Sequence, residues 1–125
     1  MSAKNKILVI DDEEITLLLL SNLLSKADYD VVTTDQPLKG VQLAMQEKPD
    51  LIFLDINMPK RNGWSLFSQL RSQQGMEDVP VVILTSDAHD ESVELAVELG
   101  AASYLKKPVD GDTIKTKISE ILGSK

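Results

Sequence analysis

The sequence predicts an α/β protein in which helices cover both faces of a doubly wound parallel sheet. Short apolar runs rich in β-branched side chains alternate with segments of helical periodicity, and this alternation repeats five times. Within the runs, apolar residues do not alternate with polar ones, which is typical of strands buried on both faces of a parallel sheet. The five predicted strands lie at residues 7–10, 31–32, 51–54, 81–84 and, more weakly, 103–105.

Each predicted strand is followed by an apolar stripe that repeats about every 3.6 residues, the period of an amphipathic helix. The stripes predict five helices, and right-handed crossovers distribute such helices over both faces of the sheet. Their members are, in chain order, Thr16, Leu20, Leu23, Leu24 and Ala27, then Val41, Ala44 and Met45, then Trp64, Leu66, Phe67 and Leu70, then Val93, Ala96, Val97 and Gly100, and finally Ile114, Ile118 and Ile121.

The size and charge of the chain predict one domain that spans residues 1–125. A chain of 125 residues and 13.8 kDa is too short for two stable hydrophobic cores. The chain has 20 acidic and 13 basic residues and a net charge of −7. Because no basic cluster offers the usual contacts to a phosphate backbone, we expect no direct binding of nucleic acid.

Two absences from the sequence narrow the class of protein further. The chain contains no cysteine, which excludes disulfides, thiolate catalysis and cysteine-based metal sites. No apolar run approaches the roughly 18 residues that a membrane span requires, and the first residues lack the apolar core of a signal peptide. We therefore expect a cytoplasmic protein that does not contact the membrane.

Polar side chains follow four of the five predicted strands. Asp11 and Asp12 follow the first strand, and Asp55 follows the third. Thr85 ends the fourth strand, and Lys107 comes shortly after the fifth. Because the carboxyl ends of parallel strands meet at one edge of the sheet, where open α/β sheets bind ligands, we expect these side chains to converge there.

The charges of these side chains predict the kind of ligand. The three aspartates would repel one another when partly desolvated. Lys107 supplies one positive charge, and a divalent cation would balance the rest. A site whose ligands are all oxygen atoms, few of them from the protein, favours Mg²⁺. This ion keeps bound water and shares its coordination shell with phosphate. The residues therefore predict a Mg²⁺ site that handles a phosphoryl group, in which Asp55 can act as acceptor while Thr85 and Lys107 bind the phosphoryl oxygens.

Each of these residues also has a purely structural interpretation. Adjacent aspartates after a strand often cap the next helix, and an aspartate such as Asp55 is common in turns. A single threonine or lysine carries no functional signal. The joint occurrence of these residues at four strand ends favours the functional interpretation.

Four short motifs are distributed over the chain. They are Ile-Leu-Val-Ile-Asp-Asp-Glu at residues 7–13, Asp-Ile-Asn-Met-Pro at 55–59 with Gly63, Leu-Thr-Ser at 84–86, and Tyr-Leu-Lys-Lys-Pro at 104–108. In order and spacing, this set resembles the receiver domain of two-component response regulators over essentially the whole chain. The resemblance implies the flavodoxin-like receiver fold, a five-stranded parallel sheet of order 2-1-3-4-5 flanked by five helices, an order shared with the chemotaxis regulator.

The resemblance also implies roles for individual residues at the acidic end of the sheet. Asp55 matches the phosphoacceptor, which takes a phosphoryl group from a phosphohistidine on a partner. Asp12 and Asp55 would bind Mg²⁺ with their side chains and Asn57 with its backbone carbonyl, while Asp11 would bind mainly through metal-bound water. Lys107 matches the lysine that pairs with the phosphoryl oxygens, and its peptide bond to the following proline is usually cis in the family.

Switching and phosphoryl lifetime are assigned in the same way. Thr85 matches the hydroxyl that moves toward the phosphoryl group, and Tyr104 matches the aromatic ring that turns inward when that hydroxyl moves. Asn57 and Asp87 match the two variable positions that tune dephosphorylation in the family. An amide at one of them and an acid at the other can orient the attacking water.

A run of four leucines at residues 17–20 predicts a docking surface for the phosphoryl donor. With about 100° of rotation per residue, a helix that buries Leu20 turns Leu18 nearly to the opposite side. Ile15 lies on the same outer side as Leu18, next to the acidic site. We expect Ile15 and Leu18 to contact the helical bundle that carries the donor histidine; scattered surface residues or a dimer contact are the alternative interpretation.

The output surface is expected on the predicted fourth helix, the fifth strand and the fifth helix. Leu95 lies on the outer face of the predicted fourth helix among Glu91, Glu94 and Glu98. An apolar side chain among acids is a mild signal for a partner surface, although a solvated face explains it as well.

These observations together predict a single-domain response regulator. It would be phosphorylated on Asp55, with Mg²⁺, by a histidine kinase or a histidine phosphotransfer protein, and would act by protein contact as a monomer or a phosphorylation-dependent dimer. It would be no enzyme beyond accepting the phosphoryl group and slowly losing it. A phosphorelay intermediate and a receiver cut from a longer protein are close alternatives, and the end of the chain one helix past the last motif argues mildly against the second.

Two alternatives belong to other classes of protein. A Mg²⁺-dependent phosphatase with an aspartyl-phosphate intermediate usually has two aspartates separated by one residue, whereas Asp11 and Asp12 are contiguous. A flavin-binding module would need a phosphate loop after Ile10, where the acidic residues would repel the flavin phosphate.

Overall fold

A computed structural model of the chain describes residues 5–57, 63–86, 94, 98 and 100–123. Five strands form one sheet in the order β2-β1-β3-β4-β5, and every neighbouring pair is parallel. This confirms the doubly wound sheet and its implied order. The strands are β1 (Lys6–Ile10), β2 (Asp30–Thr34), β3 (Leu51–Asp55), β4 (Val81–Thr85) and β5 (Ser103–Lys106).

The described residues contain four helices instead of the five that were predicted. Most of the predicted fourth helix, between β4 and β5, lies outside the described residues. Of its described residues, Glu94 and Glu98 are helical and exposed, whereas Gly100 lies in a turn with a φ of 105°. None of the described helices is both long and apolar enough to cross a membrane. The helices are α1 (Glu14–Lys26), α2 (Pro37–Glu47), α3 (Gly63–Ser72) and α4 (Gly111–Leu122).

Two hydrophobic layers enclose the sheet, one on each face. Alternate residues of β1, β3 and β4 point into opposite layers, as the strand geometry requires. One layer packs the sheet against α2 and α3, and the other packs it against α1 and α4. The buried helix residues in the first layer are Ala44, Leu66, Phe67 and Leu70, and those in the second are Leu20, Leu24, Ile114 and Ile118.

Burial differs between the central and the edge strands. All residues of β3 and β4 are buried, and in β1 only the first residue is not. By contrast, β2 and β5 bury one residue each. The prediction that all five strands are buried on both faces was therefore wrong for β2 and β5. An edge strand has a neighbour on one side only, and the flanking helices pack over the centre of the sheet.

A close approach between α2 and β1 fixes the end of β1. A Cβ atom added at Gly40 would lie 2.7 Å from Cδ1 of Ile10, and Gly40 therefore lets the helix pack directly on that side chain. Ile10 is the residue before the acidic pair. The packing of α2 thus helps to hold the start of the acidic loop.

Backbone hydrogen bonds continue beyond the strand ends and fix the loops that follow. The N–H of Asp11 donates to Thr34 at 3.2 Å. The N–H of Ile56 donates to the carbonyl of Leu84 at 3.1 Å, and the N–H of Lys107 donates to that of Thr85 at 2.8 Å. The residues after β1, β3 and β5 therefore leave the sheet in defined directions and bring their side chains to the same edge.

Candidate functional site

The carboxyl edge of the sheet carries a compact cluster of three carboxylates. Among the described residues, one oxygen from each of Asp11, Asp12 and Asp55 can be chosen so that all three lie within 4.8 Å of one another. Asp11 and Asp55 are buried, with 0% and 1% exposure, whereas Asp12 is exposed. The cluster therefore has a buried floor and one side that solvent can reach.

The ammonium group of Lys107 lies over this cluster. Its Nζ is 2.8 Å from Oδ2 of Asp11 and 3.2 Å from Oδ2 of Asp55, and it also contacts Oε1 of Glu13. The Lys107 side chain is 12% exposed. The peptide bond that follows it, to Pro108, is cis, as the resemblance implies.

The two oxygens of Asp55 have different surroundings. Oδ1 accepts a hydrogen bond from the backbone N–H of Asn57 at 2.8 Å. Oδ2 faces Nζ of Lys107 at 3.2 Å. Oδ1 is therefore held by the loop after β3, whereas Oδ2 faces the ammonium group that lies over the cluster of carboxylates.

The electrostatics of the cluster disfavour its negative charge in the absence of a further cation. Burial, with the nearby charge of Asp11, raises the pKa of Asp55 above its usual range, although the Asn57 N–H and Lys107 act against the shift. Burial and the charge of Asp55 likewise raise the pKa of Asp12. Burial alone would lower the pKa of Lys107, but its contacts with Asp11 and Glu13 outweigh burial, and the pKa is raised. Lys107 therefore stays protonated among carboxylates that it does not fully neutralise.

The donor set fits a divalent cation that prefers oxygen ligands. Oδ1 of Asp11 accepts from the N–H of Glu13 at 2.9 Å. Its buried Oδ2 has no hydrogen bond of regular geometry among the described residues, although Lys107 Nζ lies within ion-pair distance. A buried carboxylate oxygen without such a bond is costly, and a hard cation satisfies it. Carboxylate oxygens with open solvent on one side suit Mg²⁺, which retains several waters.

Thr85 and Tyr104 lie on neighbouring strands beside this cluster. Thr85 ends β4 and is fully buried. Tyr104 lies in β5, and its side chain is 39% exposed. An outward-facing ring is the starting state that the implied switch requires, while the movement itself stays a prediction.

A contact between two loops was not predicted from the sequence. Oδ1 of Asn57 accepts hydrogen bonds from the backbone N–H of Ser86 at 2.8 Å and from its hydroxyl at 3.3 Å. This bond joins the loop after β3 to the loop after β4, so Asn57 links the chain beside Asp55 to the chain beside Thr85. The resemblance assigned Asn57 only a metal-binding carbonyl and a role in dephosphorylation.

Glu13 is a second residue at the site to which sequence reasoning gave no role. Its side chain is 60% exposed and reaches Lys107. The sequence signal was present, since Glu13 directly follows the acidic pair and ends the first of the four motifs. Asp87, Glu91 and Leu95, which were predicted to act in dephosphorylation or on the output surface, lie outside the described residues.

The predicted donor-docking residues are exposed beside the site. Ile15 is 81% exposed and Leu18 is 59% exposed, whereas Leu20 is fully buried. The helical period therefore separated the outer from the inner leucines correctly. A groove of about 630 Å³ runs between α1 and the chain that leads into α2, and it is lined in part by Leu17, Leu18 and Leu43.

The fold and the site together define the class of protein. Residues 7–119 match the family model of the response regulator receiver domain. The chain belongs to this family and is a receiver domain of two-component signalling.

Particular relatives can now be named. The alkaline phosphatase synthesis transcriptional regulatory protein PhoP of Bacillus subtilis is 38% identical over 117 residues, which are 94% of this chain and 48% of PhoP. Protein PilH of Pseudomonas aeruginosa is 34% identical over 117 residues, which are 94% of this chain and 97% of PilH. The chain thus spans about half the length of PhoP and of several other curated relatives.

A solved structure has the same fold. The chemotaxis protein CheY4 of Vibrio cholerae matches with a TM-score of 0.90 and 26% identity. The match covers 95% of this chain and 99% of that structure. The fold of the chain is therefore one that has been solved for a chemotaxis protein.

Proposed function

We propose that Asp55 accepts a phosphoryl group from a phosphohistidine and that Mg²⁺ assists this transfer. The observation that carries the proposal is the buried Asp55 carboxylate, which lies in a three-aspartate cluster with Lys107 Nζ 3.2 Å from its Oδ2. Asp11, Asp12 and Asp55 would hold the ion together with the carbonyl of Asn57. When bound, Mg²⁺ supplies positive charge that offsets the carboxylates and the phosphoryl oxygens.

The chemistry assigned to Asp55 is a simple displacement. Oδ2, which the Asn57 N–H does not hold, attacks phosphorus. The bond from phosphorus to the donor nitrogen breaks, and the donor keeps the electron pair. Lys107 and the hydroxyl of Thr85 then donate to the phosphoryl oxygens and stabilise their charge. Hydrolysis of the acyl phosphate by water releases inorganic phosphate and restores the carboxylate, so the chain catalyses only its own phosphorylation and dephosphorylation.

A small-molecule donor tests the proposal without a partner. In the presence of Mg²⁺ and acetyl phosphate, we expect intact-mass spectrometry to find the chain heavier by one phosphoryl group, and we expect EDTA to prevent the gain. Steady release of phosphate from many phosphomonoester molecules per chain would instead identify a phosphatase. No mass gain at saturating Mg²⁺ would contradict the acceptor assignment.

We further propose that the phosphorylated chain acts through protein contacts. The match with PilH covers 97% of that protein, which supports the proposal that a receiver unit of this size can act by itself in signalling. The half-exposed Tyr104 lies on β5, where a change in its packing would alter a binding surface.

Leu18 provides a test of the surface that binds the donor. We expect Leu18→Ser to lower the rate of transfer from a cognate phosphohistidine donor about ten-fold, the effect of removing one well-packed contact residue. Transfer from acetyl phosphate should not change, because this donor needs no docking surface. Met45→Ser is the matched control, since Met45 is also exposed on a helix but lines a cavity with Lys48 and Pro49, at the end of α2. An unchanged transfer rate in Leu18→Ser rejects docking at this position.

A further inference from the structure

The ammonium group of Lys107 already faces three carboxylate oxygens, with which a phosphoryl oxygen would have to compete. A lysine ammonium carries three N–H donors. Its Nζ already contacts three carboxylate oxygens, which belong to Asp11, Asp55 and Glu13. The contacts with Glu13 and Asp55 have regular hydrogen-bond geometry, whereas the contact with Asp11 is an ion pair. A phosphoryl oxygen on Asp55 therefore competes with these carboxylates for the ammonium group of Lys107.

The three contacts differ in how easily they can be lost. Asp11 is fully buried, so separating it from Lys107 would leave a buried charge unpaired, which is costly. Asp55 carries the phosphoryl group and stays beside Lys107. The Glu13 side chain is 60% exposed, and its carboxylate can return to water at little cost. Glu13 is therefore the contact that a phosphoryl oxygen replaces.

We propose that Glu13 is a positioning residue that occupies Lys107 before phosphorylation and thereby slows phosphoryl acceptance. This inference rests on the proposed function of Asp55. The Glu13–Lys107 contact is present in the unphosphorylated chain and is replaced once the phosphoryl group has arrived. Glu13 consequently affects the rate at which the group is accepted but not the rate at which it is lost by hydrolysis.

A second effect of Glu13 has to be separated from this contact. Its negative charge also repels any anionic donor that approaches the site, without touching Lys107. Glu14 is the matched control, because it is the next residue and has the same charge, but it lines the groove with Leu17 and Leu18. The difference between Glu13→Gln and Glu14→Gln therefore measures the contact with Lys107.

The experiment compares the wild-type chain, Glu13→Gln and Glu14→Gln at saturating Mg²⁺. We expect Glu13→Gln to accept phosphoryl groups from acetyl phosphate about two to five times faster than Glu14→Gln, which is the range of an exposed ion pair. The rate of loss after donor removal should be equal in all three chains. Beryllofluoride, which presents fluorine atoms in place of phosphoryl oxygens, should bind Glu13→Gln more tightly by the same factor in fluorine NMR.

Three outcomes overturn the inference about Glu13 and leave the proposed function of Asp55 intact. Equal acceptance by Glu13→Gln and Glu14→Gln would leave only a general effect of charge, and slower acceptance by Glu13→Gln would make Glu13 an aid to transfer. A parallel change in acceptance and loss would show that Glu13 acts in both states. If the wild-type chain accepts no phosphoryl group, the proposed function of Asp55 fails and this inference fails with it. If the wild-type chain is phosphorylated and both variants accept the group at the wild-type rate, only the inference about Glu13 fails.

Discussion

Asp55→Asn leaves the chain folded and abolishes its ability to carry a phosphoryl group. Asparagine keeps the shape of the side chain and an oxygen that can accept the 2.8 Å hydrogen bond from the Asn57 N–H. Its amide nitrogen is not a nucleophile toward phosphorus under these conditions, so the acyl phosphate cannot form. We expect no mass gain with Mg²⁺ and acetyl phosphate under conditions in which the wild-type chain is modified completely.

The same substitution should increase stability when no metal is bound. Burial raises the pKa of Asp55 above its unfolded value, so folding disfavours the charged carboxylate. This group therefore destabilises the folded chain at neutral pH, and the penalty is relieved as the pH falls through the raised pKa. We expect Asp55→Asn to unfold at a higher urea concentration than the wild-type chain in EDTA at neutral pH, with a smaller difference in acid.

Asp30→Asn is the control for Asp55→Asn. Asp30 is an exposed aspartate at the start of β2, at the opposite end of the sheet from the acidic cluster. Its substitution makes the same chemical change to the chain, and phosphoryl acceptance should stay at the wild-type level. A full mass gain in Asp55→Asn would mean that another residue accepts the group.

Lys107→Met should reduce the rate of phosphoryl acceptance about 100-fold, the usual cost of removing one preorganised group that stabilises developing charge. Methionine retains most of the length of the side chain but carries no ammonium. The phosphoryl oxygens would then lose the donor that lies 3.2 Å from Oδ2 of Asp55. The rate is measured by intact mass at saturating Mg²⁺ over time.

Lys106→Met is the matched control for Lys107→Met. Lys106 is the neighbouring lysine, it ends β5, and its side chain is exposed. Its substitution removes the same charge from the chain, so it reports any general effect of net charge on the anionic donor. Equal rates in the two variants would contradict a direct role of Lys107.

Lys107→Met also has a predictable effect on stability in EDTA. Without the ammonium, Asp11 and Asp55 would face each other with no neutralising partner. We expect the free energy of unfolding at neutral pH to fall by about 1.5–3 kcal/mol, the range for hydrogen bonds to charged groups. Urea unfolding monitored by circular dichroism gives this value and also shows whether the variant is folded in the rate measurements.

The edge of the sheet that carries the site was predictable from the sequence, because strand ends are easy to locate. A buried strand has to end where its apolar run ends, and Asp11 and Asp55 mark two such points. Parallel pairing then brings these points together whatever the details of the loops. The same reasoning separated Leu18 from Leu20 in a run of four leucines, since helical rotation alone decides which of them is buried.

The contacts made by loop side chains were not predictable in this way. Glu13 reaches Lys107 because it precedes α1 in an extended conformation and its side chain does not cap the helix. The bond between Asn57 and Ser86 joins positions 29 residues apart. Both contacts depend on how loops leave the sheet, which the periodicity of the sequence does not specify.

The acceptor position can be read directly from the phosphorylated chain. Borohydride reduces an aspartyl phosphate to homoserine, so peptide sequencing by tandem mass spectrometry identifies the residue that carried the group. After treatment with Mg²⁺ and acetyl phosphate, we predict homoserine at position 55 and unmodified aspartate at positions 11 and 12. Homoserine at either of those two positions, or a phosphorylated chain with unreduced aspartate at position 55, would contradict the assignment of Asp55 as the acceptor.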